Sequence, residues 1–449
     1  LARARAHAAR ADDDAAKRAY LEVLTRDPAH FSALNELGTL ALSGGYRSAA
    51  RTAYAQAVKC HPGNPVARVN LANVLRQGDE LAAARAEYEA ALALDADLIE
   101  AHRGLADLLW DLDPDRAEQH FRRALSGRPI VTISHRGRAT APSLLLLVSA
   151  RGGNVPTHLW IDDRRFTIHV VYVESFGGGA DTALPAHDVV VNAIGDADLC
   201  GAALGHAAEL VRRTDAPTIN APALVRLTGR AQNAARLGAI PGVIAPRITL
   251  EDPAALRGLR GLRFPLLLRR PGFHTGRHFV KVDDPAALDR TIDDLGGDRL
   301  FVIDYLDARG ADGLARKYRV MFVGGITYPL HLAISHDWKV HYFSAAMADD
   351  AQHRDEERRF LEDMPGVLGT RAMAALADIA ATLALDYAGI DFALAPDGSV
   401  ILFEANATMV VFPPPADPIW DYRRAAIDAV IAAARRLVVD RAARAPQPG

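Results

Sequence analysis

The feature that most constrains this chain is a 34-residue period across its first 130 residues. Tyr20, Tyr54 and Tyr88 recur at that interval. So do Leu37, Leu71 and Leu105, and Gly44 and Gly78. Pro28 and Pro62 share one slot with Ala96, and Ala57 and Ala91 share another with Leu125. Small and large apolar residues at helical spacing, repeated at this length, describe a helix pair that buries its apolar face only against the next copy. Gly78 and Asp79 end one helix and open the next, and Pro62 closes the turn between repeats. Residues 1–128 are therefore expected to form an all-α solenoid of about three repeats plus a preceding helix.

The stretch "YAQAVKCHPGNPVARVNLANVLRQGDELAAARAEYEAALALD" resembles tetratricopeptide repeats. That resemblance implies a concave surface that takes a peptide or protein. A spacer or a dimerisation surface is the other reading, and no side chain here looks catalytic.

At 449 residues the chain is long enough for two to three domains. Its formal net charge of −3 gives no general pull toward nucleic acid. Cys60 and Cys200 stand far apart without metal-ligand spacing and read as free thiols of a cytoplasmic protein. No run of about 18 apolar residues predicts a membrane span, and no signal peptide is visible.

Beyond residue 128 strand-like and helix-like segments alternate. "SLLLLVSA", "RFTIHVVYVE" and "DVVVNAIGDAD", then a helix near 199–213, predict a small open-sheet α/β unit. Ligands of such sheets sit at strand carboxyl ends, where Arg151, Gly152 and Asn154 fall; an ordinary tight turn is the alternative. "RFPLLLRRPGFHTGRHFVKV" reads as strand, glycine-bounded loop, strand. Gly272 and Gly276 bracket a loop able to fold over phosphates, flanked by Arg269, Arg270 and Arg277. "RLFVIDYLDARG" is a buried strand ending in Asp304, Tyr305, Leu306 and Asp307. In the hairpin that follows, Lys317 and Arg319 share one strand face, where they meet phosphate or carboxylate, or else solvent. Lys339 and His341 share a face further on, as substrate contacts or surface polarity. In "VILFEANATMVV", Glu404 and Asn406 interrupt a hydrophobic run two residues apart. Paired with the strand carrying Asp391, they offer three oxygen ligands to a hard cation such as Mg2+, or Mn2+ in its place.

The order of these pieces resembles the ATP-grasp superfamily. "GIDFALAPDGSVILFEANA" is similar to its closing metal motif, "FVIDYLD" to its adenine hinge, and "RKYRVMFVGG" to the strand whose arginine reaches the terminal phosphate. The resemblance implies a pre-ATP-grasp α/β domain over 140–225, an α+β ATP-grasp domain of two lobes over 226–435, and a flexible tail over 436–449. It implies that Asp391, Glu404 and Asn406 hold Mg2+ on ATP. Asp304 takes the adenine amine, Tyr305 and Leu306 meet the ring, and Asp307 suits the ribose. Arg319 and Lys317 neutralise the reacting phosphate, and Arg270 stands where the family commonly has Lys before Pro. The implied chemistry is ligation: a carboxylate becomes an acyl phosphate, an amine captures it, and ADP and phosphate leave. The repeats would recruit the peptide or protein substrate. Two other readings are an inactive binding scaffold and an ATP-dependent small-molecule kinase. After Asn406 the chain reads "ATMVVFPPP" instead of the family's usual Pro-Gly turn, so an unusual acceptor is expected.

Overall fold

The structure is a computed structural model and describes residues 1–8, 12–110, 112–125, 129–137, 141–176, 183–272, 276, 278–340, 347–414 and 417–444. The chain divides into two compact units, Leu1–Pro129 and Ile130–Gly449.

The first unit is a stack of tetratricopeptide-like helix pairs. Its helices are α1 (Ala2–Ala8), α2 (Asp13–Arg26), α3 (Phe31–Ser43), α4 (Arg47–Cys60), α5 (Pro65–Gln77), α6 (Leu81–Leu94), α7 (Ile99–Leu109) and α8 (Pro114–Ala124). Three pairs, α3/α4, α5/α6 and α7/α8, follow two leading helices instead of the one expected. Helix starts are set locally. Asn64 caps α5 by accepting from the Ala67 N–H, with Pro65 in the first turn, where a missing N–H costs nothing. The recurring tyrosines are the packing units. Tyr88 is buried and donates to Asn73 Oδ1 at 2.5 Å, while the Tyr54 hydroxyl meets Thr39 Oγ1 at 2.9 Å. A Cβ at Gly104 would fall 2.2 Å from the Tyr88 ring, so glycine there lets α7 close onto α6.

The second unit holds three sheets. In the first, β1 (Ile130–Ile133), β2 (Ser143–Val148), β3 (Thr167–Tyr172), β4 (Val189–Asn192) and β5 (Thr218–Ile219) run in the order β1-β3-β2-β4-β5. The inner pairings are parallel and β1 is an antiparallel edge. α9 (Gly201–Val211) links β4 to β5, and α10 (Pro222–Val225) and α11 (Arg230–Leu237) follow.

The chain then feeds two further, mainly antiparallel sheets in turn. β6 (Val243–Ile244) joins one, and β7 (Ile248–Glu251) joins the other. The four-stranded sheet adds β8 (Leu266–Arg269), β9 (Phe279–Val282) and β10 (Leu300–Asp304), in the order β7-β10-β8-β9. Strand alternation divides its side chains between two faces. Leu266, Leu268, Leu300 and Val302 pack with α12 (Pro253–Gly258) and α13 (Pro285–Leu295). Leu267, Phe301 and Ile303 form a separate cluster with Phe279, Tyr305 and Trp338.

The last sheet adds β11 (Ala315–Val323), β12 (Ile326–Ser335), β13 (Tyr387–Leu394) and β14 (Val400–Asn406), in the order β12-β11-β13-β14-β6. One face, with Tyr318, Val320, Leu332 and Phe392, packs against α14 (Ala351–Glu362) and α15 (Met364–Leu383). α15 is long and apolar enough to cross a membrane, but Leu368, Ala372, Leu376 and Ile379 bury one side of it in this core. α14, rich in charged residues, buries Glu357 in a 2.5 Å ion pair with Arg423. The chain closes with α16 (Arg424–Ala442), whose Ile427, Val430, Ala434 and Leu437 pack with Met321, Val323 and Leu330. The flexible tail expected from 436 is therefore corrected. Leu437, Val438 and Ala442 are buried, because the apolar helical spacing continues past residue 435.

Candidate functional site

A cleft of about 460 Å³ is lined by the second and third sheets of the second unit. Its floor is set by register. β13 pairs with β14 so that Asp391 faces Glu404 and Gly389 faces Asn406. β13 also pairs with β11 so that Arg319 faces Asp391. Glu404 and Asn406, two apart, emerge on one face, and the Asn406 amide donates to Glu404 Oε1 at 2.6 Å. Asn406 Oδ1 in turn accepts the Thr408 N–H and hydroxyl, each at 2.9 Å.

Asp391 is the electrostatic centre. Arg319 grips it as a fork, with Nη2 donating to Oδ2 at 2.7 Å and Nε to Oδ1. Lys317 Nζ lies 3.2 Å from Oδ2. Burial by itself would raise the Asp391 carboxyl, but Arg319 and Lys317 outweigh it and hold the group far below the usual carboxylate range. His331, opposite Arg319 on β12, is buried beside these cations and lies well below the ordinary imidazole value, so it is neutral at pH 7.

Two arginines from other elements complete the site. Arg230, the first residue of α11, pairs with Glu404 at 3.2 Å, and its backbone N–H donates to Asp198. Arg269, at the end of β8, is buried, and burial, with Arg230 nearby, lowers it to about 10, still cationic at neutral pH. Its guanidinium lies 5.4 Å from the centre of the Phe279 ring.

The residues proposed from sequence distribute as follows. Lys317, Arg319, Asp391, Glu404, Asn406, Asp304, Tyr305, Leu306, Gly276, Asn154 and Lys339 all line the cleft. Gly272 lines a smaller adjoining pocket that shares Arg230, Arg269 and Glu404 with it. Gly272 and Gly276 both take positive φ, 79° and 74°, which a side chain would resist. Arg270 is corrected: it is not among the lining residues, and its Nε lies 3.0 Å from where a Cβ of Gly297 would stand. Neighbouring positions along a strand face opposite ways, so Arg269 occupies the cleft side. Asp307 is held by Arg309, with Nε donating to Oδ1 at 2.9 Å, and does not line the cleft. Arg151 and Gly152 are exposed and also lie off it. Asn154 reaches the cleft with its amide already bonded to the backbone of Ser149, at 2.8 and 2.7 Å. Lys339 donates to the Phe279 carbonyl at 3.1 Å and packs beside Gly276, on the glycine-loop side of the cleft. His341 lies outside the described residues.

Sequence reasoning missed Arg230 and passed over Arg269. Strand period puts Arg269 on the same face as Leu267, but only the packing of the sheet shows that this face lines the cleft. Arg230 carries no local signal.

No protein-family model matches the chain, and no curated protein matches it. Solved structures match over about a quarter of its length. MamA is 24% identical, with 28% of this chain and 74% of that one covered and a TM-score of 0.27. The first tetratricopeptide repeat domain of Spaghetti (RPAP3), solved with an HSP90 peptide, is 23% identical, with 22% and 79% covered and a TM-score of 0.21. A tetratricopeptide repeat protein from Parabacteroides merdae is 22% identical, with 28% and 50% covered and a TM-score of 0.26.

Proposed function

We propose that this chain is an ATP-dependent ligase of the ATP-grasp kind. It would join a carboxylate to an amine through an acyl phosphate, releasing ADP and phosphate, with the helical repeats recruiting a peptide or protein. One observation carries the reading. A single cleft gathers the strand end Asp304–Leu306, cations from two sheets and α11, and the oxygen donors Asp391, Glu404 and Asn406. Its described lining holds five cations (Arg230, Arg269, Lys317, Arg319 and Lys339) against three carboxylates (Asp304, Asp391 and Glu404). That excess suits a polyanion such as a nucleoside triphosphate.

The donor set suits Mg2+ by type, being all oxygen on adjacent paired strands, but the ion would have to displace Arg319 and Lys317 from Asp391, Arg230 from Glu404 and Thr408 from Asn406 Oδ1. Asp391, Glu404 and Asn406 would hold the ion. Bound Mg-ATP supplies the phosphoryl group and neutralises the charge of its transfer. The chain does the positioning. Arg319 and Lys317 hold Asp391 ionised and present fixed donors to developing negative charge. Arg269 and Lys339 bring positive charge to the glycine-loop side, where Gly276 lets the backbone approach phosphate. The apolar cluster of Leu267, Ile303 and Phe279 with Tyr305 and Trp338 offers a flat ring one wall of the cleft.

The test is the thermal unfolding midpoint with Mg-ATP, Mg-ADP, and ATP plus chelator, followed by product analysis with carboxylate–amine mixtures. A ligand bound only to the folded state at 100 times its Kd adds about 2.7 kcal/mol. A Mg-dependent rise and amide formation support the reading. A stable phosphorylated product without amide indicates a kinase on the same site. One observation favours a non-catalytic scaffold: Arg319 already occupies both oxygens of Asp391. No shift with millimolar Mg-ATP would move the assignment there.

A further inference from the structure

The cleft has two chemically different ends, and strand register orders them. Arg309, just past the strand end at Asp304, bridges to Ala315 at the start of β11. From there β11 carries Lys317, then Arg319 opposite both Asp391 and His331, then Met321 opposite Gly389. On β14 the matching order is Glu404, then Asn406, with Thr408 to Val410 beyond. Leu330, Met409, Val410, Phe412 and Ile427 line the end past Arg319.

None of those five carries a polar side chain; of the polar groups beside them Asn154 and Thr408 are already engaged, and the buried His331 follows Leu330 on β12. Asn154 is bonded to Ser149 and the Thr408 hydroxyl to Asn406. Leu330, Met409 and Ile427 are buried members of a core cluster that includes Trp160 and Tyr387, so this wall is preformed. Val410 is partly buried, and Phe412 is 51% exposed at the mouth. At the inner limit stand two cations, Arg319 and Lys317, against one carboxylate, Asp391. With Glu404 paired to Arg230, these ion pairs leave one positive charge in excess at the junction.

We propose that this end is the acyl-group subsite, and that the carboxylate substrate bears a branched or aromatic apolar side chain. Its carboxylate lies toward Arg319, matching the excess charge. Its apolar group lies among Leu330, Met409 and Ile427, with Val410 and Phe412 covering it. The role of that carboxylate rests on the ligase reading; the chemistry of the subsite does not. A second acidic group is disfavoured there, because no cation among the described lining residues would meet it.

The test measures binding of acetate, 4-methylpentanoate and glutarate to the full chain by ligand-observed NMR titration. Each buried methylene strengthens binding about fourfold, so 4-methylpentanoate should bind at least about 50-fold tighter than acetate, and glutarate no better than acetate. Phe412→Asp and Val410→Asp, at positions that are not buried, should each weaken 4-methylpentanoate about tenfold or more. Their unfolding midpoints report folding. Glutarate binding as tightly as 4-methylpentanoate, or unchanged affinity in both folded variants, overturns the subsite. The Mg-ATP midpoint shift is read in parallel. Loss of that shift with 4-methylpentanoate binding intact sinks the ligase reading alone. The converse sinks the subsite alone.

Discussion

Replacing Arg319 by Met tests the electrostatic centre of the cleft. In the native chain the Asp391 side chain is 7% exposed and that of Arg319 is 19% exposed. Removing one partner of a buried pair costs about 3–5 kcal/mol, because the remaining charge has lost both water and its counter-ion. Lys317 still stands 3.2 Å from Oδ2, so the cost belongs at the lower end, about 3 kcal/mol. The pH dependence follows from the same geometry. Native Asp391 is depressed, so its stabilisation is present above the unfolded value of about 3.9 and is lost only as pH falls through its much lower native pKa. Without Arg319, only Lys317 opposes the effect of burial, so the carboxyl rises from its native value and the folded variant takes up a proton at higher pH than the native fold does. The deficit of Arg319→Met should therefore be largest near pH 7 and shrink as pH falls into the acid range. Adding Asp391→Asn should recover part of it, with a coupling energy of about 0.5–3 kcal/mol. The assay is urea unfolding followed by tryptophan fluorescence in a Trp110→Phe background, which leaves Trp160, Trp338 and Trp420, all in the second unit. A cost below about 1 kcal/mol that does not vary with pH would refute the argument, since it would mean that Asp391 is solvated.

Other consequences are separable. Arg269→Met should weaken Mg-ATP binding about tenfold or more, while Arg270→Met changes it less than about twofold, measured by calorimetric titration; the reverse order would contradict the strand alternation. Glu357→Ala should cost about 3–5 kcal/mol in the same unfolding assay, since it leaves the buried Arg423 guanidinium without its carboxylate. Gly104→Ala should destabilise the first unit by about 1–3 kcal/mol, seen in the unfolding midpoint of Trp110 fluorescence, because the new Cβ would collide with the Tyr88 ring.

The sequence by itself determined the local elements, because local order follows periodicity. A 34-residue recurrence of Tyr, Leu and Ala defined the helix pairs, since each apolar face needs a neighbouring copy. Alternation along "RKYRVMFV" put Lys317 and Arg319 on one face, and a spacing of two did the same for Glu404 and Asn406. The length of α16 was available in its apolar spacing, which runs through Leu437 and Val438, but the expected boundary at 436 overlooked it. Arrangements between distant segments were not legible. Arg230 meets Glu404 from a helix start 174 positions earlier in the chain, and nothing near either residue announces the contact. The choice of Arg269 over Arg270 needed the direction in which β8 presents its faces, and that depends on which side α12 and α13 cover. The closure of Arg319 onto Asp391, and the apolar end beyond them, were decided only when β11, β13, β14 and α16 packed together. Hydrophobic period acts over a few residues along one chain segment. Charge pairing and pocket shape act across a few ångströms of space, whatever the separation in sequence.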